Sequence, residues 1–168
     1  FNYALSQNYY GGINNSLSAF GLQLDVLFQF VKQTANNYLV SRDITMPGTF
    51  SNQPTLVMQR WLNPGDVTPV QKFSQRAGSP AAIAYNNALN FGDNHISDAS
   101  FVRLKNVQLV WTIPSKWTSN MKIAKANVFV QGQNLALFTK YPGNDPETQT
   151  LGVLPPLRVM TAGLTVNF

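Results

Sequence analysis

Apolar and polar side chains alternate with a period of two along several stretches of this chain, and no helical apolar period is sustained. The clearest stretch runs from Leu22 to Phe30. Leu22, Leu24, Val26, Phe28 and Phe30 share one face, and Gln23, Asp25, Leu27 and Gln29 share the other. A strand sends successive side chains to opposite sides, so this segment is apolar on one side and mostly polar on the other. The C-terminus repeats it. Ala162, Leu164, Val166 and Phe168 alternate with Thr161, Gly163, Thr165 and Asn167. The small residues on that second face leave room for a neighbour. The pattern predicts five strands, near 12–20, 22–31, 101–113, 125–140 and 159–168.

Two of these strands change phase. In 101–113, Val107, Leu109, Trp111 and Ile113 oppose Asn106, Gln108 and Thr112. Upstream, Leu104 falls with the polar set, and Arg103 and Lys105 fall with the apolar one. A bulge near Lys105-Asn106 would reset the phase. In 125–140, Ala126, Val128 and Val130 are followed by Leu135 and Leu137 in the opposite phase, and Gly132 is the expected site of a bulge.

The connections are short, long, short, long. Gly21 joins the first two strands, a loop over 32–100 follows, Pro114 to Ala124 joins the next pair, and Tyr141 to Arg158 precedes the last strand. Transmembrane β-barrels combine this asymmetry with apolar-out, polar-in strands. The alternative is a secreted β-sandwich that binds glycan, its apolar faces packed on a second sheet. Periodicity does not separate lipid-facing from core-facing side chains. Within 32–100, Asn63-Pro64-Gly65-Asp66 predicts a turn, and Ser79 followed by Pro80 predicts the start of a short helix to Leu89.

Composition narrows the field. The chain has 168 residues with 12 Lys and Arg against 7 Asp and Glu, a net +5, and only 11% charged residues. Polarity comes instead from 18 Asn and 12 Gln, and the mean hydropathy is −0.11. With 12% aromatics the chain is not a disordered tail. It holds no apolar run of the ~18 residues that a membrane helix needs. Without cysteine it has neither a disulfide framework nor a thiolate zinc site. The basic residues are scattered, which argues against a nucleic-acid surface. The chain opens on Phe1 without Met or an export signal, so a piece of a larger exported protein is expected.

Candidate chemistry is sparse. His95 is the single histidine, in a Ser- and Asp-containing segment, and adjacency in a loop does not make a catalytic triad. No enzyme activity and no cofactor are expected. Asp93, Asn94 and Asp98, and Asn144, Asp145 and Glu147, offer oxygen ligands for calcium. Neither set completes a calcium loop, and turn-forming roles are preferred. Gln23, Asp25, Gln29, Asn106, Gln108, Gln131 and Gln133 are the candidates for substrate contact, because amides bond to neutral polar ligands without demanding charge.

Ordered motifs then carry a resemblance. They are Tyr9-Tyr10-Gly11-Gly12-Ile13-Asn14-Asn15, Gly21 to Phe28, Trp61 with Asn63-Pro64-Gly65-Asp66, and Ser97 to Val107. Gly132-Gln133-Asn134-Leu135, Thr139-Lys140-Tyr141 with Gly143 and Asp145-Pro146-Glu147, and the closing strand to Asn167-Phe168 complete the series. Together they resemble the C-terminal part of the SusC/RagA family, the TonB-dependent outer-membrane transporters of Bacteroidetes. The resemblance implies that 1–168 is the last five strands of a large plugged barrel of the 22-stranded type. It implies an outer-membrane location, long loops extracellular and the C-terminus periplasmic. The implied partners are the rest of the barrel with its plug, the lipid bilayer, TonB, and a SusD-like lipoprotein that lids the mouth. The implied cargo is oligosaccharide or peptide. Trp61 and Tyr85 become candidates for contact with the lid. Leu164, Val166 and Phe168 become the signal read by the barrel-assembly machinery.

Overall fold

The structure, a computed structural model, describes residues 6–37, 46–93, 95–119, 122–149 and 153–168. They form two units. One takes residues 7–33, 99–140 and 155–168; the other takes Ser6 and the described residues of 34–98 and 141–154.

The first unit is an antiparallel sheet built from β1 (Gln7–Ala19), β2 (Leu22–Asn36), β4 (Phe101–Thr112), β5 (Lys125–Thr139) and β6 (Val159–Asn167). Their order is β1-β2-β4-β5-β6, so chain neighbours are sheet neighbours. β1 starts earlier than the alternation suggests, because Tyr9 to Gly12 pair with Gln29 to Lys32. β2 likewise runs on beyond 31, to Asn36.

Directly paired residues share a face, so register assigns the sides. One side collects Ile13, Leu17, Leu22, Leu24, Val26, Phe28, Phe30, Val102, Leu104, Val107, Leu109, Trp111, Val128, Val130, Phe138, Met160, Ala162 and Leu164. Asn15 is the polar interruption. Much of this side is open: Leu17 is 61% exposed, Val130 47% and Leu164 63%. The opposite side carries the polar set, with Leu27, Val110, Phe129, Leu137 and Val159 among it.

The phase change has a defined cause. Between Leu104↔Ala136 and Asn106↔Gln133, β4 carries Lys105 alone while β5 carries Asn134 and Leu135. Two residues opposing one is a β-bulge. It moves Leu104 to the apolar side and Arg103 to the polar side. On β5 the reset falls at Asn134, whose φ is 53°, and not at Gly132, which stays paired with Val107 and Met160. Asn tolerates this left-handed conformation, and its side-chain amide donates to the Leu157 carbonyl at 3.0 Å. Gly132 serves space instead. A Cβ there would lie 2.7 Å from the Leu135 side chain.

Phe20 and Gly21 make the β1–β2 turn, with φ of 52° and 81°. Positive φ at both central residues is the type I′ hairpin, whose twist matches the strands. The β4–β5 connection leaves the sheet at the same end and holds α2 (Ser115–Thr118). The two long connections leave at the opposite end.

In the second unit, β3 (Ile96–Asp98) pairs with Thr34 to Asn36 at the end of β2. Asn37 donates from its backbone to His95 O at 2.6 Å and from its side chain to Ser97 Oγ at 2.9 Å. A 3-10 turn covers Thr55–Gln59. α1 (Pro80–Phe91) starts as its sequence directs: Ser79 Oγ accepts from Ala82 N at 3.2 Å, and proline fills the first helical position. In Asn63-Pro64-Gly65-Asp66, Asp66 N donates to Asn63 O at 3.1 Å. The Asp66 carboxylate accepts from the backbones of Leu62 and Asn63, which holds its pKa below the ordinary value.

Candidate functional site

The polar side of the sheet brings all seven candidate amides and carboxylates onto one surface, because register aligns them in rows. Ser16, Asp25, Gln108, Gln131 and Thr161 form one row across all five strands. Asn14, Leu27, Asn106, Gln133 and Val159 form the next. Gln23 lies one row nearer the hairpin turn, level with Ser18 and Val110. Gln29 lies on the other flank, between Gly12 and Arg103. The periodicity identified these seven residues; Arg103 joins them only because of the bulge.

The rows are partly knitted together. Gln131 Nε2 donates to Asn106 Oδ1 at 2.8 Å. Gln23 Nε2 donates to both Asp25 oxygens, at 3.2 and 2.9 Å. Gln29 Oε1 is enclosed and accepts no hydrogen bond. Beside it lies an open recess of about 570 Å³, lined by Gly12, Leu27, Gln29, Asn106, Gln131 and Gln133, with Lys105 of the bulge. Amides that donate and accept line it beside the Lys105 cation and the apolar Leu27 and Phe28. No acid–base pair is built there.

The calcium candidates sit in the second unit and do turn work. Asp145 is buried, and its Oδ1 accepts from Glu147 N at 2.8 Å and Thr148 N at 3.4 Å. Asp93 O accepts from Ile96 N at 2.9 Å, and Asp98 pairs with Thr34. Among the described residues no three His, Asp or Glu converge. Asn94 lies outside the described residues. His95 is half-buried, its carbonyl engaged by Asn37.

Tyr85 is not available as a surface contact. It is 5% exposed inside its own unit, and burial pushes its phenol pKa up. Trp61 is half-buried with Lys72 Nζ 5.8 Å from its ring centre. Leu164 and Val166 lie along the apolar side of β6, which ends the sheet, and Phe168 follows its last residue, 91% exposed.

An open, antiparallel sheet with one apolar and one polar side, short connections at one end and long ones at the other, is the architecture of a transmembrane β-barrel wall. Comparison with known proteins agrees. No family model matches the chain. It is 32% identical over 89 residues to TonB-dependent receptor P3 of Formosa agariphila, covering 44% of this chain and 9% of the receptor. It is 28% identical over 145 residues to TonB-dependent receptor P39 of the same organism, covering 84% of this chain and 13% of the receptor. Against solved structures, it superposes on the RagAB peptide importer in the open-open state with a TM-score of 0.76 at 25% identity. That match covers 100% of this chain and 18% of the other. A further structure of the RagAB peptide transporter gives 0.64 at 26% identity, over 88% of this chain and 16% of that one.

TonB-dependent receptors are therefore homologues of this chain, and the resemblance to SusC/RagA transporters carried by its motifs stands. The fold is a section of the RagAB-type barrel. The chain spans only between about a tenth and a fifth of the proteins it matches, whose own names describe receptors and importers rather than enzymes.

Proposed function

We propose that this chain forms wall strands and surface loops of an outer-membrane active importer, energised through TonB. The apolar side faces lipid and the polar rows face a wet lumen that also holds a plug. The short-connection end with Phe168 is periplasmic. The long connections are extracellular, beneath a SusD-like lipoprotein. The cargo class is oligosaccharide or peptide, met in part by Gln23, Asp25, Gln29, Asn106, Gln108, Gln131 and Gln133.

One observation carries the reading: the apolar side of the sheet runs across all five strands and stays open at Leu17, Leu109, Val130, Phe138 and Leu164. A sandwich module would bury that side under a second sheet. The length fits too. Nine residues from Leu22 to Phe30 at ~3.3 Å each, tilted by ~40°, span roughly the ~25 Å apolar band of such barrels. β1 and β6 each have one neighbour. Open edges are not tolerated in lipid, so the wall is completed by further strands.

The test is made on the full-length protein. Membrane extraction resistant to carbonate and heat-modifiable migration are expected. A cysteine at Gln131 should react with a water-soluble maleimide, and one at Leu164 only with a lipid-soluble reagent. A soluble, heat-insensitive protein would restore the sandwich reading. Deleting Phe168 should lower the yield of assembled barrel more than uptake per assembled barrel; an unchanged yield would remove the signal role of Leu164, Val166 and Phe168.

A further inference from the structure

Charge is divided unevenly over the molecule. The sheet unit carries eight Lys and Arg against a single acidic residue, Asp25. No Asp or Glu occurs anywhere from residue 99 to residue 144. Three of those cations, Lys116, Lys122 and Lys125, stand exposed around the short β4–β5 connection. Asp25 does not reach them: it sits on the polar side of the sheet, bonded to Gln23.

The same rim is aromatic. Trp111 ends the apolar side of β4, level with Leu22 and Val128. Trp117 of α2 packs edge-to-face on it, with ring centres 5.9 Å apart and planes at 83°. Trp117 nevertheless remains 65% exposed. The connection is compact, since Ile113 N donates to Ala126 O and Ala124 N donates to Asn167 O, each at 2.9 Å. Lys122 N donates to Ser119 O at 3.2 Å. An exposed indole at the edge of an apolar face is at home in the headgroup layer. Lysines beside it complement negative charge.

We propose that this rim is a binding site for the headgroup of an anionic phospholipid. Lys116 and Lys122 take the phosphate, and Trp117 lies in the interface with its ring against Trp111 and the first acyl carbons. Lys125, on the polar side of β5, adds to the field without touching the lipid chain. The proposal rests on the reading that the apolar side faces a bilayer, and it adds a lipid preference which that reading does not require.

The full-length transporter is placed in nanodiscs of phosphatidylcholine containing a small fraction of phosphatidylglycerol, with bromine on the acyl chains of one lipid at a time. The quenching lost on Trp117→Phe isolates the Trp117 signal. Quenching by brominated phosphatidylglycerol is expected well above its mole fraction. Lys116→Gln with Lys122→Gln should cut that excess by roughly fivefold for each lysine, while quenching by brominated phosphatidylcholine persists. Lys72→Gln, in the other unit, should change nothing. If the double variant does not show heat-modifiable migration, the single variants replace it, each losing its own share. Quenching that follows mole fraction, or an excess that survives the lysine substitutions, overturns the proposal. A protein that never enters the disc overturns the membrane reading instead.

Discussion

The two units use the same amide-rich alphabet for opposite ends. The sheet unit keeps its apolar side chains at the surface, and the fully buried ones are few: Val31, Ala99, Phe101 and Ala126. The connection unit buries small and aromatic residues inside, with Ala35, Val70, Ala82, Tyr85 and Tyr141 all below a tenth exposed. Charge follows the same division. The connection unit holds six of the seven acidic residues and is net negative, while the sheet unit is strongly positive. A segment that makes its own core can spend carboxylates on turns, as Asp66 and Asp145 do. A single-layer sheet makes no core of its own. On the reading proposed above, lipid covers one side and a wet lumen the other, and the sheet unit carries a single carboxylate, Asp25.

The contrast breaks first at mid-sheet. Val130→Arg places a charge in the apolar band and should cost about 2–4 kcal/mol in unfolding from liposomes. Gln131→Arg, one residue along and on the polar side, should stay within about 0.5 kcal/mol. Equal costs would mean that the two sides are not in different solvents.

Gly163 tests packing inside the sheet unit. A Cβ at Gly163 would meet the Phe129 ring at 2.5 Å. Gly163→Val should therefore destabilise the assembled barrel by about 1–3 kcal/mol, with the loss seen in the same unfolding transition. Phe129→Leu in the same background should restore part of it.

The connection unit should respond separately. Ser79→Ala removes the cap of α1 and should cost about 1 kcal/mol, read as faster amide exchange in Pro80–Phe91. Barrel unfolding should not move; if it does, the two units are coupled more tightly than their separate interiors indicate.

The smallest effect is at Asp66. Backbone bonds from Asn63 and Leu62 lower its pKa below 3.8. The charged turn is thus favoured above the unfolded value and loses that support as pH falls through the folded one. Carbon NMR of the side chain should titrate with a midpoint under 3.8. A midpoint at or above it would show the turn open.

What was legible in the sequence follows from what had a period. Each side of the sheet, the turn at Gly21 and the Ser79 cap rest on local chemistry that repeats or pairs within a few residues. The phase error at Arg103 was legible as a bulge near Lys105, but its partner was not. On β5 the glycine drew attention, whereas the left-handed residue is Asn134, fixed by a carbonyl 23 residues away at Leu157. β3 was invisible because three residues, Ile96–Asp98, show no alternation and owe their pairing to Thr34 to Asn36. The site was legible as a list and not as a surface. Only register turns Asp25, Gln108 and Gln131 into one row, and only the bulge brings Lys105 to the recess.

The glycines facing phenylalanines carry a further consequence. At one edge, Phe30 lies over its partner Gly11, where a Cβ would come within 2.5 Å of the ring; at the other, Phe129 lies over its partner Gly163. Each outer strand is thus keyed to its single neighbour by a large ring in a hydrogen-sized notch, one on each side of the sheet. A slip by two residues would drive the ring onto Tyr9 or Ile13 of β1, or onto Thr161 or Thr165 of β6. In a closed barrel, accumulated register sets strand tilt, and tilt with strand number sets diameter. In a barrel closed on this sheet, two absent side chains would act as gauge marks for its bore.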